Sequence, residues 1–175
     1  MPNPAQTAAT VAHARAADVV WAAGLIGAFY LAKTVSRAFG FHVPGSSMVL
    51  WLVPVLVARW RLDRPGSALV VTLGGGIIAS LPRWLSSSWL IGYAAAALPV
   101  ELLLMPLTRR MPTVLAFATT GLTAGLLKAA CKLALPFGRG VSAYGPANVL
   151  LSHLLFGALA GLAAFAVCRA AKLRL

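Results

Sequence analysis

The chain has 175 residues, 60% of them hydrophobic and only 10% charged, where a soluble domain carries roughly a quarter charged residues. A mean hydropathy of +0.86 leaves too little polar surface to cover a water-exposed fold, which excludes an ordinary soluble domain. The net charge of +12 would suit a nucleic-acid binder, but most of the fifteen Lys and Arg residues sit between oily runs. There they set membrane topology and meet anionic lipid of the bilayer, so no nucleic-acid partner is expected.

Residues 1–17, MPNPAQTAATVAHARAA, lack the apolar core of a cleaved signal peptide and read as a short N-terminal tail. Six stretches then approach the length needed to cross about 30 Å of hydrocarbon. They run over 19–38, 46–60, 66–82, 88–107, 112–136 and 146–168, the second and third being short. The expected fold is all-α: a polytopic membrane bundle of six transmembrane helices over 18–170, with a basic C-terminal tail at 171–175.

The first span carries Gly24, Ala28 and Ala32 at intervals of four, a ridge that lets another helix approach closely. That helix can belong to this bundle or to a partner. After the loop SRAFGFHVPGSS, which holds His42, the second span contains Trp51 and Pro54. Asp63 follows among arginines in RWRLDRPGS, near a helix start, where a carboxylate needs no functional explanation; Asp18 opens the first span in the same way. Gly74, Gly75 and Gly76 in the third span read as close contacts with a local break, and Gly157 with Gly161 in the sixth as close contacts. Pro99 and Pro106 bracket Glu101 in the fourth, so that helix is expected to bend, as is the second at Pro54.

With the N-terminus inside, the cytoplasmic cations are Arg15, Arg59, Arg61, Arg64, Arg109, Arg110, Arg169, Lys172 and Arg174. The other side has Lys33, Arg37, Arg83, Lys132 and Arg139, with Lys128 inside the fifth span. Nine against five places both termini in the cytoplasm of a multi-pass plasma-membrane protein.

This orientation sends a sparse polar set into the outer half of the membrane: Tyr93 and Trp89 on the fourth span, Lys128 on the fifth, and Tyr144, Asn148 and His153 on the sixth. Glu101 lies slightly below the middle of its span. Charges at such depth cost several kcal/mol unless they pair or face water, so Glu101 and Lys128 are candidate site residues. A structural Glu101–Lys128 or Glu101–His153 pair is the rival explanation. Trp84, Trp89, Tyr93 and Tyr144 fit an interfacial aromatic belt individually. Together with Trp51 and His42 they can also stack on a flat heterocycle.

Several chemistries are missing. No GxxxxGK(S/T) loop occurs, so nucleotide hydrolysis would have to come from elsewhere. Three scattered histidines and three scattered acids give no metal-ligand spacing, and Ser152 beside His153 points about 100° away from it on a helix. The expectation is a non-enzyme with no catalytic residues, metal or cofactor. Cys131 and Cys168 lie near opposite ends of the last two spans, beyond disulfide reach.

Length, six spans, the first-span ridge and the outer polar set resemble the substrate-binding S component of an energy-coupling factor (ECF) vitamin transporter. The stretches LDRPGSALVVTLGGG and SWLIGYAAAALPVELLLMPLTRR are similar to the YkoE-type, thiamine-precursor branch, with its Pro-Gly start and fourth-span glutamate. The likeness covers residues 60–135 at motif level and the rest by architecture; the short first loop departs from it. It implies a receptor that takes a vitamin or precursor from outside and works with a transmembrane coupling subunit and two cytosolic ATPase subunits. Glu101 would then orient the ligand, aromatic residues would stack on its ring, and Gly24, Ala28 and Ala32 would meet the coupling subunit. Two other readings stand beside it, a small carrier using Glu101 as proton carrier and a structural membrane scaffold. If the ridge serves a partner, replacing Ala28 by Leu is expected to spare ligand binding and abolish uptake; retained uptake in a transport assay would make the ridge internal packing.

Overall fold

The computed structural model describes residues 4–39, 43–81, 88–134, 145–171 and 173, with side chains described from Arg15 onward except at 88 and 89. Among them are six α-helices and no strand: α1 (Pro4–Ala38), α2 (Met48–Leu62), α3 (Ser67–Ser80), α4 (Ser88–Thr108), α5 (Thr113–Ala134) and α6 (Pro146–Ala170). Four contain segments long and apolar enough to cross a membrane, Arg15–Ala38, Leu90–Thr108, Thr113–Ala134 and Pro146–Ala170, and α3 is a shorter apolar helix. The expected all-α fold is present, with element positions within a few residues of those read from hydropathy. The N-terminal stretch differs, since helix already begins at Pro4. The cause is local: AQTAATVAHARAA is rich in alanine, the strongest helix former, and proline at a first helical position loses no hydrogen bond.

Helix α2 is the axis of the bundle. It packs against each of the other five, which follow one another around it as α1, α3, α4, α5 and α6. Its sequence, MVLWLVPVLVARWRL, accordingly has no polar face until its last turns, and Met48, Trp51, Leu52 and Pro54 through Arg59 are all buried. A helix wrapped in protein does not have to match the thickness of lipid, which accounts for its shortness.

Glycine sets how closely the outer helices approach. A Cβ at Gly121 would overlap the carbonyl oxygen of Gly157, one at Gly125 that of His153, and one at Gly161 that of Phe117. Facing glycines four apart on α5 and α6 thus bring two backbones into contact. The triple glycine of α3 does not break its helix. Instead Gly74 lies against Ile26, Gly75 against the ring of Phe29, and Gly76 against Leu90, so helices on two sides close onto the bare backbone. Helices α2 and α4 likewise run through Pro54, Pro99 and Pro106 without interruption. Gly24 has nothing within 4 Å of where a Cβ would stand, and Ala28 is exposed on the same face.

Replacing Gly157 by Val is expected to force α5 and α6 apart, a loss of about 3 kcal/mol or more. That corresponds to roughly 6–12 °C in a thermal melt of the detergent-solubilised protein, whereas Gly24→Val should melt within about 2 °C of wild type.

Candidate functional site

Glu101 is bound by groups the sequence did not nominate. Its carboxylate accepts hydrogen bonds from the backbone N–H of Gly66 (3.0 Å), Ala68 and Leu69 (3.3 Å), and Arg59 Nε stands 3.2 Å from Oε2. Gly66 reaches this position with φ of 88°, a left-handed conformation that glycine adopts at no steric cost. Glu101 therefore caps α3 from another helix and neutralises an arginine on the axial helix, both side chains being about nine-tenths buried. The rival pairing with Lys128 or His153 is not formed: the counter-ion is Arg59. The hydrophobic pattern does not show this, because by hydropathy α2 is a short span with a basic end rather than a buried axis.

The same end holds the other two acids. Asp18 Oδ2 lies 2.6 Å from Arg64, tying α1 to the α2–α3 turn, and Asp63 lies 3.7 Å from Arg59. Arg61 stacks over Trp21 at 5.3 Å. With three Asp and Glu residues in the chain, every side-chain carboxylate is engaged by an arginine here.

A second polar cluster forms about 12 Å further along α4, eight residues before Glu101. The rings of Phe29 (α1), Trp51 (α2) and Tyr93 (α4) meet with centroids 5.0–5.6 Å apart, Tyr93 edge to face with both others, as their quadrupoles prefer, and Phe29 tilted against Trp51. Phe29 and Trp51 are fully buried and Tyr93 nearly so. The Lys128 ammonium of α5 sits 3.9 Å from the Trp51 centroid and 4.1 Å from that of Tyr93, while Lys33 of α1 lies 5.1 Å from the Tyr93 centroid. Each such contact contributes about 2 kcal/mol when desolvated. Buried His153 donates from Nδ1 to the Val149 carbonyl at 2.7 Å, and the loop before α2 covers its ring through Gly45, whose φ of 81° again requires glycine.

Of the residues proposed from sequence, the fold thus gathers Trp51, Tyr93, Lys128 and His153 at one end and leaves Glu101 at the other. Asn148 is exposed on the first turn of α6. Trp84, Tyr144 and His42, and the side chain of Trp89, lie outside the described residues. Sequence reasoning missed Phe29 and Lys33 as site residues. Their spacing of four on one helix face is the available signal, but the position of Lys33 near a span end marks it equally as a topology cation.

Comparison with protein-family models, with curated proteins and with solved structures finds no match for this chain.

Glu101→Gln is expected to cost about 2–4 kcal/mol, because the buried Arg59 keeps its charge and loses its counter-charge. The midpoint of a circular-dichroism melt should fall by roughly 5–10 °C, with part of the loss recovered when Arg59→Met is added. A normal melt with loss of ligand binding would instead return Glu101 to the ligand site.

Proposed function

We propose that this chain is the membrane-embedded substrate-binding subunit of an ECF-type importer, capturing a vitamin or thiamine-precursor-like heterocycle from outside. One observation carries the reading: three helices bring Phe29, Trp51 and Tyr93 together at one end of the bundle, with Lys128 on the ring faces of the last two. A flat heterocycle recognised by stacking and by one polar contact needs such a set. In the proposed topology the bundle crosses the plasma membrane six times with both termini in the cytoplasm, and this end faces outward. The exposed Gly24 and Ala28, joined by half-buried Ala32, supply a ridge for a transmembrane coupling subunit, with ATP hydrolysis left to two cytosolic ATPase subunits.

The proton-carrier reading weakens, since a carboxylate held by three backbone N–H groups and an arginine is poorly placed to exchange protons during a transport cycle. Neither that reading nor a scaffold explains why two lysines stack on rings inside an apolar bundle.

Mass spectrometry of the purified protein is expected to find a small heterocycle that co-purifies with it. Trp51→Leu should lower its affinity about 10- to 100-fold while Ala28→Leu leaves it unchanged. A pH-gradient-driven flux by the chain alone would support the carrier instead, and neither binding nor flux would support the scaffold.

A further inference from the structure

The aromatic end of the bundle carries positive charge with no carboxylate to match. Lys33, 8% exposed, and Lys128 share the ring of Tyr93, and Lys132 and Arg37 are close enough for their charges to act on this group. His153 lies in the field of Lys128 and Lys132. Trp51 Nε1 is buried with no hydrogen-bond partner among the described residues. The chain's own carboxylates do not correct the imbalance, because Asp18, Asp63 and Glu101 are all held by arginines at the opposite end. Ring faces offset only part of the cost of removing an ammonium from water.

We infer that this cluster is an anion-recognition site, built to take a carboxylate or phosphate group between Lys33 and Lys128 with the Trp51 N–H as a further donor. The inference rests on reading the aromatic cluster as the substrate site, and it narrows the substrate to a heterocycle carrying such a group, against a cationic one. It also gives Lys128 a second role. Its ammonium covers faces of Trp51 and Tyr93 that a flat ligand would stack on, so an anion that draws the ammonium aside uncovers the rings for the rest of the same molecule. A negatively charged group is thereby required before stacking can begin.

The same chemistry can come from a soluble anion or from an anionic lipid headgroup, and inorganic phosphate separates the two. In phosphatidylcholine nanodiscs, phosphate at about 10 mM, against chloride of equal ionic strength, is expected to raise the melting midpoint of the wild type by roughly 3 °C. The shift should vanish in Lys128→Met, shrink in Lys33→Met, and survive in Lys128→Arg. Trp51→Phe, which keeps an aromatic ring but removes the N–H together with part of the indole, should reduce it. A shift produced by phosphatidylglycerol and not by phosphate assigns the site to a lipid headgroup. No shift with either anion, or an equal shift in wild type, Lys128→Met and Lys33→Met, overturns the inference. Phosphate binding without any heterocycle would keep the anion site and remove the vitamin-receptor reading. A neutral or cationic heterocycle held without response to phosphate would do the reverse.

Discussion

The contact between Arg59, Glu101 and the first turn of α3 is the constraint around which the bundle is organised. An axial helix surrounded by five others is stable when it is apolar, and α2 is apolar until Arg59. That guanidinium is buried where a lone charge would cost several kcal/mol, and Glu101 supplies the counter-charge. The same carboxylate is itself buried, and the free N–H groups at the start of α3 satisfy its remaining lone pairs. Each of the three parts would be unfavourable alone, and together they lock α2, α3 and α4 into one register. Because α4 is fixed at Glu101, its preceding turns carry Tyr93 to a set place beside Trp51.

The protein separates its charges by end. Arg59, Arg61, Arg64 and all the side-chain carboxylates gather around the α2–α3 turn, in paired and largely structural contacts. Lysines, aromatic rings and a histidine gather at the other end without a carboxylate. Arginine suits the first task, since its planar fork pairs with carboxylates in fixed geometry. Lysine suits the proposed anion site, since a compact ammonium on a flexible stem can leave an aromatic face and follow a ligand. The glycine contacts serve this arrangement from beneath. Gly75 admits the Phe29 ring against α3, and Gly121 and Gly125 hold α5 close to α6, which keeps Lys128 near the cluster and places His153 under the first loop.

The candidate site was legible where one residue type sufficed to draw attention to it. A lysine or glutamate inside an oily run is visible in one dimension, and so were Lys128 and Glu101. What could not be read was their partners, because the contacts of Glu101 lie 32 to 42 residues away on two other helices. Hydropathy treats every helix as if it faced lipid, so it ranked α2 as a weak span when it is the most enclosed helix, and it left Arg59 among the loop cations. The triple glycine misled for a related reason: its local tendency to break a helix was overridden by neighbouring helices that pack on the exposed backbone.

By itself the sequence determined that this is an all-helical chain of membrane character, roughly where its helices begin and end, and that its few charges are too costly to be incidental. Those properties follow from composition and from the length of apolar runs, which depend on neighbours along the chain. Only the tertiary structure decided that Glu101 braces the bundle and that Lys33 and Lys128 share the rings of Trp51 and Tyr93. Which charge meets which is set by helix order around α2 and by a few tenths of a nanometre of backbone approach, and neither is written in hydrophobic periodicity.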